Sequence, residues 1–69
     1  MDISTKIKLA ETYAKMSESE LARKLGTTSQ ALGQRIKTGK FSSRDLDNIA
    51  AALGAEFVCS FRFPDGTEI

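Results

Sequence analysis

Apolar residues recur every three or four positions through about three quarters of the chain, which is the period of an amphipathic helix. The first such set predicts a helix over about 3 to 15, with Asp2 as its N-cap. Charged residues such as Lys8 and Glu11 fall between the apolar ones and are expected on the solvent side. The apolar positions of this first helix are Ile3, Ile7, Ala10 and Ala14.

A second, short helix is predicted between a capping signal and a glycine. Ser17 and Glu20 form a capping-box pattern, in which each side chain can bond the backbone amide of the other residue. Leu21, Ala22 and Leu25 give this helix its apolar stripe. Gly26 follows at the position where a left-handed residue usually ends a helix.

Two more helices follow the glycine. Thr28 is the expected N-cap of the third, which runs over about 28 to 37 with Leu32 and Ile36 as its apolar positions. A second capping signal starts the fourth helix, and another glycine ends it. The residues that mark these two ends are Ser42, Asp45 and Gly54.

Beyond Gly54 the pattern changes from a helical period to strict alternation, which predicts a β-strand. The tripeptide Pro64-Asp65-Gly66 suits a tight turn, and 67–69 could return as a short second strand. The only cysteine lies on the apolar side of this strand and is expected to be a small buried hydrophobic residue. The residues on that side are Phe57, Cys59, Phe61 and Phe63.

These elements predict a mainly α fold: a four-helix bundle that contains a helix-turn-helix, followed by a C-terminal β-strand or short hairpin. The bundle corresponds to residues 1–54 and the strand segment to residues 55–69. With 69 residues, the chain is expected to form a single structural unit.

Charge is segregated along the chain. Between Leu21 and Arg44 there are six basic residues and no acidic one, whereas the rest of the chain has a net charge of −5. The total of +1 therefore hides a local positive field that would attract a polyanion such as DNA. The alternative is that these cations simply form a solvated face.

Composition argues against several classes of function. The chain has no histidine and one cysteine, so it lacks the clustered groups that zinc sites and nucleophilic catalysis need. We therefore expect no enzyme activity, no cofactor and no small-molecule substrate. No apolar run is long enough for a membrane span, the N-terminal residues do not resemble a signal peptide, and a single cysteine suits the reducing cytoplasm.

The segment Glu20-Leu21-Ala22-Arg23-Lys24-Leu25-Gly26-Thr27-Thr28-Ser29-Gln30-Ala31-Leu32 resembles the phage repressor and Cro (XRE-like) type of helix-turn-helix protein. The resemblance extends over Ile3 to Gly54. It implies a repressor-type fold in which the third helix enters the major groove of double-stranded DNA. By matching position, Ser29, Gln30 and Gln34 would lie at base edges, where glutamine can bond adenine.

The same resemblance implies contacts with the DNA backbone, which position a protein without reading sequence. Arg35 is expected to contact either phosphates or bases, and Arg23 and Lys24 are as readily explained as solvated charges. The third helix also departs from the family pattern in having Gly33 at its middle and one residue more between its apolar positions. The expected phosphate contacts are Ser17, Ser19, Thr28, Arg35, Lys37, Thr38, Lys40, Ser43 and Arg44.

The C-terminal segment is expected to form a homodimer, because an exposed strand edge rich in phenylalanine invites pairing with an identical strand. The residues assigned to this interface are Phe57, Cys59, Phe61 and Phe63. The alternative is a hairpin that folds back over its own bundle.

The expected function is a dimeric, sequence-specific transcriptional regulator, most simply a repressor, that binds an inverted-repeat operator. Two alternatives stay open at this point. One is an antitoxin or accessory regulator whose hairpin binds another protein, and the other is a protein-interaction module that does not bind DNA.

Overall fold

The computed structural model describes residues 2–69, and four helices make up its ordered body. No helix among these residues is long and apolar enough to cross a membrane. The helices are α1 (Ile3–Tyr13), α2 (Glu18–Lys24), α3 (Ser29–Thr38) and α4 (Ser43–Ala52).

Each helix begins at the N-cap that the sequence predicts. The side chain of Asp2 accepts a hydrogen bond from the Thr5 amide, and that of Thr28 accepts one from the Ala31 amide. The other two helices begin with complete capping boxes, formed by Ser17 with Glu20 and by Ser42 with Asp45. Such caps satisfy amides that have no partner within the helix.

The helices α2 and α4 end just before the glycines that the sequence predicts as their stops. Gly26 has a φ of +76° and Gly54 a φ of +73°, a backbone region that non-glycine residues rarely adopt. The first helix ends earlier than expected, at Tyr13. Lys15 lies in the left-handed region at φ +56° and directs the chain into α2.

The core lies where the first three helices meet α4. Leu21 of α2 and Leu32 of α3 are completely enclosed. Because residue 22 is an alanine, itself buried, α3 can pack closely across α2. The remaining buried apolar residues are Ile7, Ile36, Ile49 and Ala50.

The predicted C-terminal strand or hairpin is wrong. Residues 2–69 contain no strand or sheet. Near the C-terminus one isolated antiparallel bridge joins Arg62 and Glu68, with backbone hydrogen bonds between Phe61 and Ile69 and between Phe63 and Thr67 on either side of it. Alternating apolar residues favour a strand only where a neighbouring strand and a packed face support it. Here the pairing is limited to one bridge and no face of the segment is packed, so residues 55–69 form an irregular arm with one tight turn.

The arm does not cover the bundle either. Phe57 is half-buried, but every residue from Val58 to Ile69 is exposed. The radius of gyration is 13.2 Å, compared with about 11 Å for a compact chain of this length. Cys59, expected to be buried, is exposed because the arm has no packed side.

Candidate nucleic-acid interface

One face of α3 is polar and exposed along its whole length. Gln30, Gln34 and Lys37 are spaced by four and three residues, so they form a stripe along the helix. This stripe lies opposite Leu32 and Ile36, which face the core. A helix so placed presents amide and cationic groups to a partner while its apolar side holds it to the bundle.

The orientation of α3 is fixed by its contacts with α1 and α2. The Ser4 hydroxyl of α1 donates a hydrogen bond to the Ile36 carbonyl near the C-terminal end of α3. At the other end, the Thr27 amide bonds the Ala22 carbonyl and closes the turn between α2 and α3. Both ends of α3 are therefore held by neighbouring elements.

Arg35 ties α3 to α4 instead of pointing freely outward. Its guanidinium forms an ion pair with Asp45 at 2.5 Å and lies 5.4 Å from the centre of the Phe41 ring. Hydrogen bonds from Ser42 are the main cause of the lowered pKa of Asp45, and the charge of Arg35 lowers that pKa further. Arg35 was assigned to phosphate contact, but within the protein it already has a carboxylate partner.

The other predicted cations on this side have no such partner. Lys37, Lys40 and Arg44 are exposed and form no ion pair within the described residues. Ser29 and Ser43 lie at the first positions of α3 and α4, with exposed side chains. The structure therefore brings most of the predicted contacts together around α3 and the loop that follows it.

Three predicted contact residues already serve the local backbone. The hydroxyls of Ser17 and Thr28 accept the capping bonds of α2 and α3, and the Thr38 hydroxyl donates to the Arg35 carbonyl. Ser19 is exposed on α2, but the first turn of that helix also carries Glu18 and Glu20. Negative charge at this point disfavours a phosphate, whereas the first turn of α3 contains no acid.

The sequence did not predict the acidic pair formed by Glu11 of α1 and Glu18 of α2. Glu11 is buried, only 7% exposed, and its Oε2 has no hydrogen-bond partner within the described residues. Burial is the main cause of its raised pKa, and the nearby Glu18 carboxylate raises the pKa further. Glu11 was expected on the solvent side of α1, and that prediction is wrong. It lies four residues after the buried Ile7, so the helical period places both residues on the same buried face.

Gly33 of α3 lies next to the Glu18 member of this acidic pair. A Cβ at Gly33 would lie 3.3 Å from the Glu18 Oε2, so α2 contributes a carboxylate at the middle of α3. The close approach permitted by this glycine is therefore to Glu18. Glu18, Gly33 and Lys37 line one cavity, so this carboxylate borders the stripe of Gln30, Gln34 and Lys37 at its Lys37 end.

The residues assigned to the dimer interface are separate from this surface. Phe57, Cys59, Phe61 and Phe63 all belong to the arm, which follows α4. No group of three or more metal-ligating side chains is found in residues 2–69.

No family model, curated protein or solved structure matches this chain. The function must therefore be argued from the surface of α3 and its surroundings.

Proposed function

We propose that this protein is a sequence-specific regulator of transcription that binds double-stranded DNA with α3 in the major groove. The proposal rests above all on the exposed stripe of Gln30, Gln34 and Lys37. An α-helix fits the major groove, and only there does each base pair present a distinct set of donors and acceptors.

The two glutamines would read bases. A glutamine amide can donate to N7 and accept from N6 of adenine at the same time, so A·T pairs are the expected targets. Ser29, at the first position of α3, would reach an adjacent base edge. The ties of α3 to α1 and α4 support this role, because a recognition helix needs a fixed orientation for two-point hydrogen bonding.

The cations around α3 would supply the affinity. Lys37, Lys40 and Arg44 are exposed and form no ion pair among residues 2–69, so each can neutralise a phosphate and release counterions. Arg35 would act mainly by orienting α3, since its positive charge is already paired with the Asp45 carboxylate. Its position still leaves it 48% exposed, which permits a second contact at the edge of the site.

Regulation would follow from occupancy of the operator in the cytoplasm, with no cofactor and no catalysis. A homodimer would place two copies of α3 in successive major grooves about 34 Å apart, which requires an inverted-repeat operator. Repression is the simplest outcome, because a bound protein of this size blocks access to the DNA it covers.

Selection of binding sites from random duplex DNA tests this proposal. We expect enrichment of a short inverted repeat with A·T pairs in each half-site. A scrambled duplex of the same length and composition is the control, and affinity for both is measured at several salt concentrations. Equal affinity for selected and scrambled duplexes would refute sequence-specific recognition.

A further inference from the structure

The carboxylate of Glu18 borders the proposed recognition surface of α3. Glu18 is the first residue of α2, and its Oε2 lies 3.3 Å from the point that a Cβ of Gly33 would occupy. Glu18, Gly33 and Lys37 line one cavity of about 410 Å³, together with residues of α1. A partner that docks on α3 beside Lys37 would therefore meet this carboxylate.

Gly33 brings the carboxylate next to the stripe of α3. Residues three and four apart are neighbours on a helix surface, so Gly33 lies beside Gln30 on one turn and beside Lys37 on the next. Because glycine has no side chain, residue 33 places no atoms between Glu18 and these two stripe residues. The proposed recognition surface thus has a carboxylate along one edge, in addition to its amides and its cation.

The carboxylate of Glu18 is not paired within the fold. It forms no ion pair among residues 2–69, although Lys8 and Lys37 line the same cavity. The other carboxylate of this cavity, that of Asp2, accepts the capping hydrogen bond from the Thr5 amide. Glu18 therefore supplies the cavity with a negative charge that has no protein counterion in contact with it.

The backbone that carries Glu18 is well fixed. The capping box of Ser17 and Glu20 encloses it in sequence, and Leu21, three residues later, is completely buried. Glu20, the other acid of this first turn, uses its carboxylate to accept from the Ser17 amide. Of the two, Glu18 is the one whose carboxylate faces the cavity beside α3 from a rigid support, as a recognition residue requires.

A carboxylate selects among bases because it can only accept hydrogen bonds. In the major groove, guanine and thymine present acceptor atoms, whereas cytosine presents its N4 amino donor and adenine its N6 amino donor. Adenine also presents the N7 acceptor beside the amino group, which a carboxylate would repel. Cytosine is therefore the base that best fits a carboxylate at this edge, and a phosphate is disfavoured by its charge.

We propose that Glu18 is a specificity-determining residue that accepts a hydrogen bond from the N4 amino group of a cytosine in the operator. The inference rests on the proposed binding of DNA by α3, and it adds the class of base pair at one position of each half-site. Because Gly33 lies beside Gln30, the C·G pair should adjoin the A·T pair that Gln30 contacts. The half-site then combines amide reading of adenine with carboxylate reading of cytosine.

The test begins with the duplex that the full chain selects from random DNA. Further duplexes carry a T·A pair in place of each C·G pair of the half-site in turn, which replaces the amino donor with the O4 acceptor of thymine. Glu18→Gln is the informative variant, because an amide of the same shape can accept from cytosine and donate to thymine. Affinities are measured by fluorescence anisotropy.

Asp47→Asn is the matched control, because Asp47 is an exposed carboxylate on α4. Circular dichroism checks that each variant keeps its helices. Glu18→Ala replaces Glu18→Gln if the latter does not fold, since it also removes the acceptor.

We expect one position at which the full chain and Asp47→Asn bind the cytosine duplex at least about fivefold more tightly than the thymine duplex. Glu18→Gln should bind these two duplexes within about twofold of each other.

Two results would overturn the inference and leave DNA binding by α3 intact. One is a selected half-site with no preference for a C·G pair in either orientation. The other is a Glu18→Gln variant whose affinity changes by the same factor for every duplex, since that result indicates general charge repulsion. A selection that enriches no site would overturn the proposed function together with this inference.

Discussion

Gln34 lies at the centre of the exposed stripe on α3, so it provides the sharpest test of base reading. We expect Gln34→Ala to weaken binding to the selected operator by roughly 1 to 3 kcal/mol and to change binding to random DNA little. Asn48→Ala is the matched control, because Asn48 is an exposed amide on α4. Affinity measured by fluorescence anisotropy would contradict the assignment if Gln34→Ala weakened both duplexes equally.

Glu11 makes stability depend on pH. The pKa of Glu11 is raised in the folded protein, so folding favours the protonated carboxyl group. Below the ordinary pKa of 4.5 both the folded and the unfolded chain are protonated, and ionisation of Glu11 costs the fold no stability. As the pH rises above that value, the unfolded chain loses the proton first and the fold loses stability. The loss is complete once the pH exceeds the raised pKa.

Replacing the ionisable group removes this penalty. We expect Glu11→Gln to increase the free energy of unfolding by on the order of 1 kcal/mol at neutral pH, and by much less at about pH 3.5. Urea denaturation at both pH values measures it, with Glu56→Gln as a control on an exposed carboxylate. A gain of the same size at both pH values would show that the ionised carboxylate is not its source.

Some residue environments could be predicted from the chain and others could not. Ser17 and Ser42 were identifiable as caps because a cap depends on residues only three positions away. The pairing of Arg35 with Asp45 joins residues on different helices, and the burial of Glu11 depends on how three helices meet. Neither the ion pair nor the burial of Glu11 can be recognised from residues that are close together in the sequence. The roles of Gln30 and Gln34 stay predictions, since exposure alone does not identify a ligand.

At the scale of the element, Gly33 weakens the helix that carries the proposed recognition surface. Glycine inside a helix costs about 1 kcal/mol relative to alanine. A methyl group at this position would meet only the end of the flexible Glu18 side chain, at 3.3 Å, and that carboxylate can move. We expect Gly33→Ala to stabilise the protein by up to about 1 kcal/mol in urea denaturation.

Gly39→Ala is the matched comparison. Gly39 ends α3 at φ +70°, where alanine is strained, so this change should destabilise the protein by about 1 kcal/mol. A loss of stability in Gly33→Ala as well would mean that Glu18 is held in place by its surroundings.

The elements also show where periodicity is a sufficient guide. Helices α1 to α4 were predictable because their caps, apolar stripes and glycine stops agree with one another. The C-terminal strand was not, because alternation at Phe57, Cys59, Phe61 and Phe63 specifies only which side chains share a face. Whether such a segment becomes a strand depends on a paired neighbour and a packed face, and this chain provides one isolated bridge and no packed face.

For the whole molecule, the distribution of charge predicts how binding responds to salt. Each phosphate neutralised by a cation adds about one to the slope of log affinity against log salt concentration. We expect Lys40→Ala to weaken binding to specific and random DNA alike and to lower that slope by about one. Lys24→Ala, which removes a lysine beside Ala51 and Ala52 of α4, should leave the slope unchanged.

The four N-terminal caps have a consequence for how quickly the protein becomes active. Each helix is started by bonds within its own first turn, and the most extensive packing between helices joins the consecutive pair α2 and α3. Domains with such local topology fold in microseconds to milliseconds. The bundle should therefore be complete almost as soon as the chain is released. The delay before function would then be set by the search for a second copy and for DNA, and so by the number of molecules in the cell.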